Sequence, residues 1–246
     1  MDLSTLPVRR ACFSAPEHGV LARGPRSCSV GNSGAVSLAS PPELLVLHAV
    51  RIQGMTDIGR IRRRFGLTAE LVDELLQDDE ARGWVQRVAF RDHAGWSLTP
   101  SGRVEDERRV AAELGASGGR AELERAHRDF APLNAAFLTA MTNWQLRPAP
   151  GDRLAENDHS DWRWDERVLD TLAGLQRRVR PVTDRASAVL ERFEGYPERL
   201  AAALEQVDRG RRDHVDGVGI DSCHVVWFEL HEDLLATLGI DRSAAS

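Results

Sequence analysis

The chain has 246 residues, 42% of them hydrophobic and 28% charged, the balance of an ordinary soluble globular protein with room for one large core or two small ones. The formal net charge of −6 excludes a protein held on nucleic acid by its overall charge. No apolar run approaches a membrane span, no secretory h-region follows the early arginines, and Cys12, Cys28 and Cys223 are too far apart for a metal-type pair, so a reduced, cytoplasmic setting with no membrane contact is expected.

Residues 1–40 are rich in Ser, Gly and Pro, show no period of 3.6 or 2, and read as a disordered extension. Order begins at SPPELLVLHAVRI, where Ser40 is placed to cap a helix, Pro41 fits its first position and Glu43 completes a capping box. Leu44, Leu47, His48 and Arg51 run along one side of that helix. MTDIGRIRRRFG predicts a short second helix capped by Thr56 and ended by Gly66. TAELVDELLQDDEARGWV predicts a third, capped by Thr68 and stopped by Gly83, with Leu71, Val72, Leu75 and Leu76 as its apolar stripe. WVQRVAF alternates as a strand, RDHAG turns and WSL returns, which is a β-hairpin. Thr99 and Pro100 then open a further helix.

A loose linker is read at GASGG, residues 115–119. Beyond it the pattern is helical: a long segment to about residue 146 that Pro132 would kink or split, then a loop at RPAPGDRLAENDHSDW. A second long segment follows, interrupted by Pro181, then a shorter helix at YPERLAAALEQVDRG. The last helix, DSCHVVWFELHEDLLATLG, is expected to be capped by Asp221 and ended by Gly239. The expected fold class is therefore mainly α, three helices and a hairpin over 41–115 followed by an all-α bundle of about four or five helices over 120–242.

FGLT in the turn before the third helix, GWV entering the hairpin and GWSLTPSGR leaving it resemble the winged helix-turn-helix regulators of the MarR-like kind. The C-terminal half, DGVGIDSCHVVWFELHEDLLATLG above all, is similar to the partner domain of actinobacterial winged-helix regulators. The resemblance implies a transcriptional regulator that binds double-stranded DNA, with a helical sensing or dimerisation domain. It also extends, more faintly, to winged-helix segments that accompany phosphoenolpyruvate-utilising, dikinase-like enzymes. None of the catalytic motifs of those enzymes is present, and that likeness implies docking onto protein instead.

If DNA is the partner, Arg60, Arg63, Arg64, Arg87, Arg91 and His93 are the candidates to hold phosphates, with Thr68 and Ala69 facing the groove. Against this, the third helix carries Glu70, Asp73, Glu74, Asp78, Asp79 and Glu80, and carboxylates repel a phosphate wall. The alternative is a winged helix that binds protein through this acidic face. For a small-molecule effector the candidate pocket residues are Trp144, His159, Trp162, His224, Trp227 and His231, a mixture of aromatics and titratable groups. A homodimer is a further expectation. No catalytic, cofactor or metal motif is legible: His224 and His231 stand seven apart, two turns of helix, too far to share a metal. Cys223 opens a helix, but a buried, inert thiol is the expectation.

Overall fold

The computed structural model describes residues 37–241 except Arg91 and Asp92. The reading of residues 1–36 as a disordered extension, and with it Cys12 and Cys28, lies outside the described residues. Residues 37–40, by contrast, are tied down: Leu38 exchanges backbone hydrogen bonds with Val189 and Glu191, and Ser37 Oγ donates to the Ser187 carbonyl.

Helix α1 (Pro42–Gln53) starts one residue later than its sequence suggests. Pro41, not Ser40, holds the cap position, because a residue before proline is driven out of the helical region; its φ and ψ are −69° and 149°. Ser40 Oγ is buried without a partner, so the expected capping box does not form. Helix α2 (Ile58–Phe65) is capped by Asp57, whose Oδ1 accepts from the Arg60 amide at 2.9 Å. Thr56, the expected cap, has its backbone N–H and C=O committed to Trp96 at 3.0 and 2.7 Å. Helix α3 (Ala69–Ala81) is capped by Thr68 as expected, and Gly66 takes the left-handed conformation before it.

Strands β1 (Val85–Phe90) and β2 (His93–Leu98) pair antiparallel in a register running from Val85–Leu98 to Phe90–His93, so the return strand begins three residues before the expected WSL. Helix α4 (Pro100–Ser117) follows, with Thr99 as cap. Glycine at 102 is obligatory: a Cβ there would lie 1.9 Å from the Trp84 carbonyl oxygen. The GWV and TPSGR segments thus meet backbone to backbone. Residues 115–119 are no loose linker either. Helix α4 runs to Ser117, Gly118 turns it, and Gly119 packs so tightly that a Cβ would fall 2.2 Å from Val189 Cγ1.

Helices α5 (Arg120–Gln145) and α6 (Trp162–Ser187) each continue through their proline, Pro132 and Pro181, which sit on exposed faces. The split expected at Pro132 does not occur. After a 3-10 turn (Glu191–Phe193) come α7 (Tyr196–Asp208), the short α8 (Asp213–Asp216) and α9 (Cys223–Leu238). Ser222 caps α9, accepting from the Val225 amide; Asp221 instead pairs with Arg199. The architecture is mainly α, as expected: three helices, a hairpin, then a helical region. No described helix is long and apolar enough to cross a membrane.

The described residues form one compact unit with two apolar centres. The smaller gathers Val46, Leu47, Val50, Ile61, Val72 and Leu76 with Val85 and Trp96 of the hairpin. The larger is built on α5, α6, α7 and α9, with Phe137 stacked on Trp227 at 4.5 Å and Phe130 on its far side at 5.1 Å. Between the two centres runs a seam of charge.

Candidate functional site

The charged residues of helix α9 all fall in ELHED, residues 229–233, which puts Glu229, Glu232 and Asp233 within about one turn. All three carboxylates are buried. A buried charge is tolerable only when paired and hydrogen-bonded, and each of these is. Asp233 accepts from Arg192, from Tyr196 OH at 3.0 Å and from His48 Nε2 at 3.1 Å. The other ring nitrogen of His48 meets Asp106 at 3.0 Å, and Arg192 reaches Glu113 at 3.1 Å and Thr237 at 2.6 Å. Glu232 takes Arg51 at 2.8 Å. Glu229 takes Arg60 at 3.1 Å on one side and Arg199 at 2.7 Å on the other. His48, Arg51 and Arg60 come from α1 and α2, so the last helix neutralises cations of the first two.

The electrostatics follow the geometry. Burial alone would push the His48 imidazolium down, but the Asp106 and Asp233 carboxylates outweigh it and raise its pKa to about 9. Burial likewise opposes ionisation of Asp233, yet Arg192 and His48 hold it well below the usual carboxylate range. Burial, with Asp233 beside it, pushes the Tyr196 phenol far up. His48, Asp106 and Asp233 have no solvent exposure at all. Their contacts join α1, α4 and α9 across the seam.

Two of the residues expected to hold DNA, Arg60 and Arg64, are engaged at or beside this seam. Arg60 is engaged by Glu229 and donates to the Met55 carbonyl. Arg64 donates to the carbonyls of Glu194 and Arg192, and its guanidinium lies 4.2 Å from the centre of the Tyr196 ring. Only Arg63 of that trio is exposed. Arg87 lies over Trp96 and within 3.5 Å of Glu80. Thr68 is exposed and Ala69 half-buried at the start of α3. Arg91 is outside the described residues, and of His93 only the backbone is described. Glu70, Glu74, Gln77 and Asp78 form the outward face of α3, with Asp73 half-buried and bonded to Gln77 at 2.8 Å. Asp79 departs from this pattern: it points inward, and burial raises its pKa to about 6 despite Arg109 and Arg82 nearby.

The expected pocket residues do not converge. Trp144 packs against His159 at 4.5 Å with the rings tilted, and His159 Nδ1 is held by Asp165 at 3.1 Å. With Asn157, which donates to the Trp144 carbonyl and to Asp165, this fastens the 146–161 loop onto the first turn of α6. His159 has φ of 57°, alone among the described non-glycine residues in being positive. Trp162 is 61% exposed. Trp227 belongs to the core and donates to Asn134 at 3.0 Å, while His231 lies against Phe130. His224 borders a groove. Cys223 is the inert thiol expected, burial pushing it up to about 12. Among the described residues no cluster of three metal-ligating side chains occurs.

The seam was missed from sequence. Its signal was available in two helices. ELHED sets carboxylates at i, i+3 and i+4 on an otherwise apolar helix, and His48 and Arg51 share a face of another.

No family model, curated protein or solved structure matches the chain.

Proposed function

We propose that residues 41–115 are a winged helix that docks onto a basic protein surface through the outward face of α3, and does not read DNA. Three helices followed by an antiparallel hairpin support the winged-helix assignment, as does the single antiparallel Thr56–Trp96 bridge that ties the α1–α2 turn to the hairpin. The observation that carries the functional reading is the fate of the arginines. Arg60 and Arg64 are engaged by the helical half, whereas Glu70, Glu74 and Asp78 remain in solvent. Phosphate binding needs the opposite distribution.

A DNA-binding regulator would require Arg60 and Arg64 to be released from Glu229 and from the 192–194 backbone. The test is a mobility-shift series with the chain's own upstream duplex DNA at ~50 mM salt, where binding through phosphates is strongest. No complex is expected; a complex whose affinity falls steeply with salt overturns the reading. A photo-crosslinker at Gln77 should capture a protein whose capture is abolished in the Glu70→Arg, Glu74→Arg variant.

A further inference from the structure

Strand β1 is paired along one side and open along the other. Its register with β2 fixes which backbone groups lie on each side. Trp96 commits both its N–H and its C=O to Thr56, away from β1, so Arg87 opposite it must turn its own backbone groups away from β2. Just beyond the strand ends the Thr99 amide donates to the Trp84 carbonyl across the hairpin, which sets the same alternation. Val85, Arg87 and Ala89 therefore point their N–H and C=O outward. Among the described residues these groups have no backbone partner.

An edge of this kind is a template for another strand unless charge, proline, a bulge or a covering element blunts it. Pairing runs from Val85 to Phe90 without a bulge, and VQRVAF holds no proline. Its one charged side chain, Arg87, is drawn back over Trp96 and toward Glu80. Val85 is 2% exposed and closed to a newcomer, whereas Arg87 and Ala89 are exposed.

A second copy of the same edge fits in a single register. Two identical edges pair antiparallel about a two-fold axis, and only outward residues exchange bonds, so the axis falls at Gln86, Arg87 or Val88. Axes at Gln86 and Arg87 both need the buried Val85, and the latter also sets Arg87 against its own copy, a destabilising like-charge pair. The axis at Val88 uses Arg87 and Ala89 alone. Each Arg87 then faces an Ala89, and the half-buried Val88 faces Val88 with no charge at the centre.

We propose that two copies of this chain join edge to edge through β1, two-fold about Val88, into one continuous antiparallel sheet. Arg87 and Ala89 of each copy exchange backbone N–H···O=C bonds with Ala89 and Arg87 of the other. A contact this small gives a weak, reversible dimer. It leaves the outward face of α3 free, and the pair carries that face twice.

Sedimentation velocity on the full chain from about 1 μM to about 1 mM should show a monomer–dimer equilibrium. Ala89→Pro deletes an outward donor that the hairpin does not use, and should weaken the dimer by about tenfold or more, while Ala89→Ser leaves it intact. Val88→Glu and Val88→Lys should each be monomeric alone, and an equimolar mixture should restore the dimer, because residue 88 meets only its own copy. Amide exchange at Arg87 and Ala89 of the unaltered chain should slow as concentration rises, a readout that needs no variant. A chain that stays monomeric throughout overturns the proposal, as does a dimer indifferent to Ala89→Pro. Failure of the Glu and Lys variants to pair overturns the Val88 register.

Discussion

Helices α3 and α9 are the two carboxylate-rich helices of this chain, and they use their charge in opposite ways. On α3 Glu70, Glu74 and Asp78 face water, where each is solvated and costs little. On α9 they face inward, where every one must be matched, and the matching cations arrive from α1, α2, the 3-10 turn and α7. The same side chains are a surface in one place and an adhesive in the other. What differs is the rest of the helix: α9 is buried along most of its length from Val226 to Leu238, whereas α3 offers only a narrow stripe to the core.

The comparison breaks first at its strongest point. Asp233→Ala strands His48 and Arg192 in the interior and should cost about 3–5 kcal/mol in chemical denaturation. A loss below about 1 kcal/mol would show that the seam is not needed. Titration of the seam is the next largest effect. His48 is about 6.5 unfolded and about 9 folded, so its contribution is complete below pH 6.5 and gone above pH 9. Stability should fall by about 3 kcal/mol across that window, and the profile of His48→Gln should be flat there.

Asp79, the α3 carboxylate buried like those of α9 but matched only by a half-exposed Arg82 at 3.5 Å, sharpens the contrast. Its folded pKa of about 6 lies above the usual 3.8, so it favours folding below pH 3.8 and loses that benefit as pH rises through 6. Asp79→Asn should therefore stabilise the protein at pH 7.5 by roughly 1–3 kcal/mol, an advantage absent at pH 3.5. The smallest effect belongs to the outward face. Glu70→Arg with Glu74→Arg should move the melting temperature by less than about 2 °C, while abolishing partner capture.

Local signals were legible in the sequence and long-range ones were not. Gly66, Thr68, Thr99 and Gly239 act where their spacing placed them, because capping is decided within four residues. Ser40 and Thr56 failed as caps for reasons a few residues further off, a second proline in one case and a strand pairing in the other. The arginines of α2 looked like a phosphate grip because nothing nearby in sequence claims them. Their partners, Glu229 and the 192–194 backbone, lie well over a hundred residues downstream. The pocket expectation erred similarly: Trp144, Trp227 and His231 share a composition with binding sites but pack as core and loop anchor.

The ionic seam also sets a schedule for synthesis. His48, Arg51 and Arg60 precede the carboxylates that neutralise them by 185, 181 and 169 residues. At ordinary translation speeds that interval is roughly 10–40 s. Throughout it the first helices carry positive charge bound for an interior that does not yet exist. The amino-terminal half is made first and completed last, because its inward cations gain their carboxylates only when α9 has emerged.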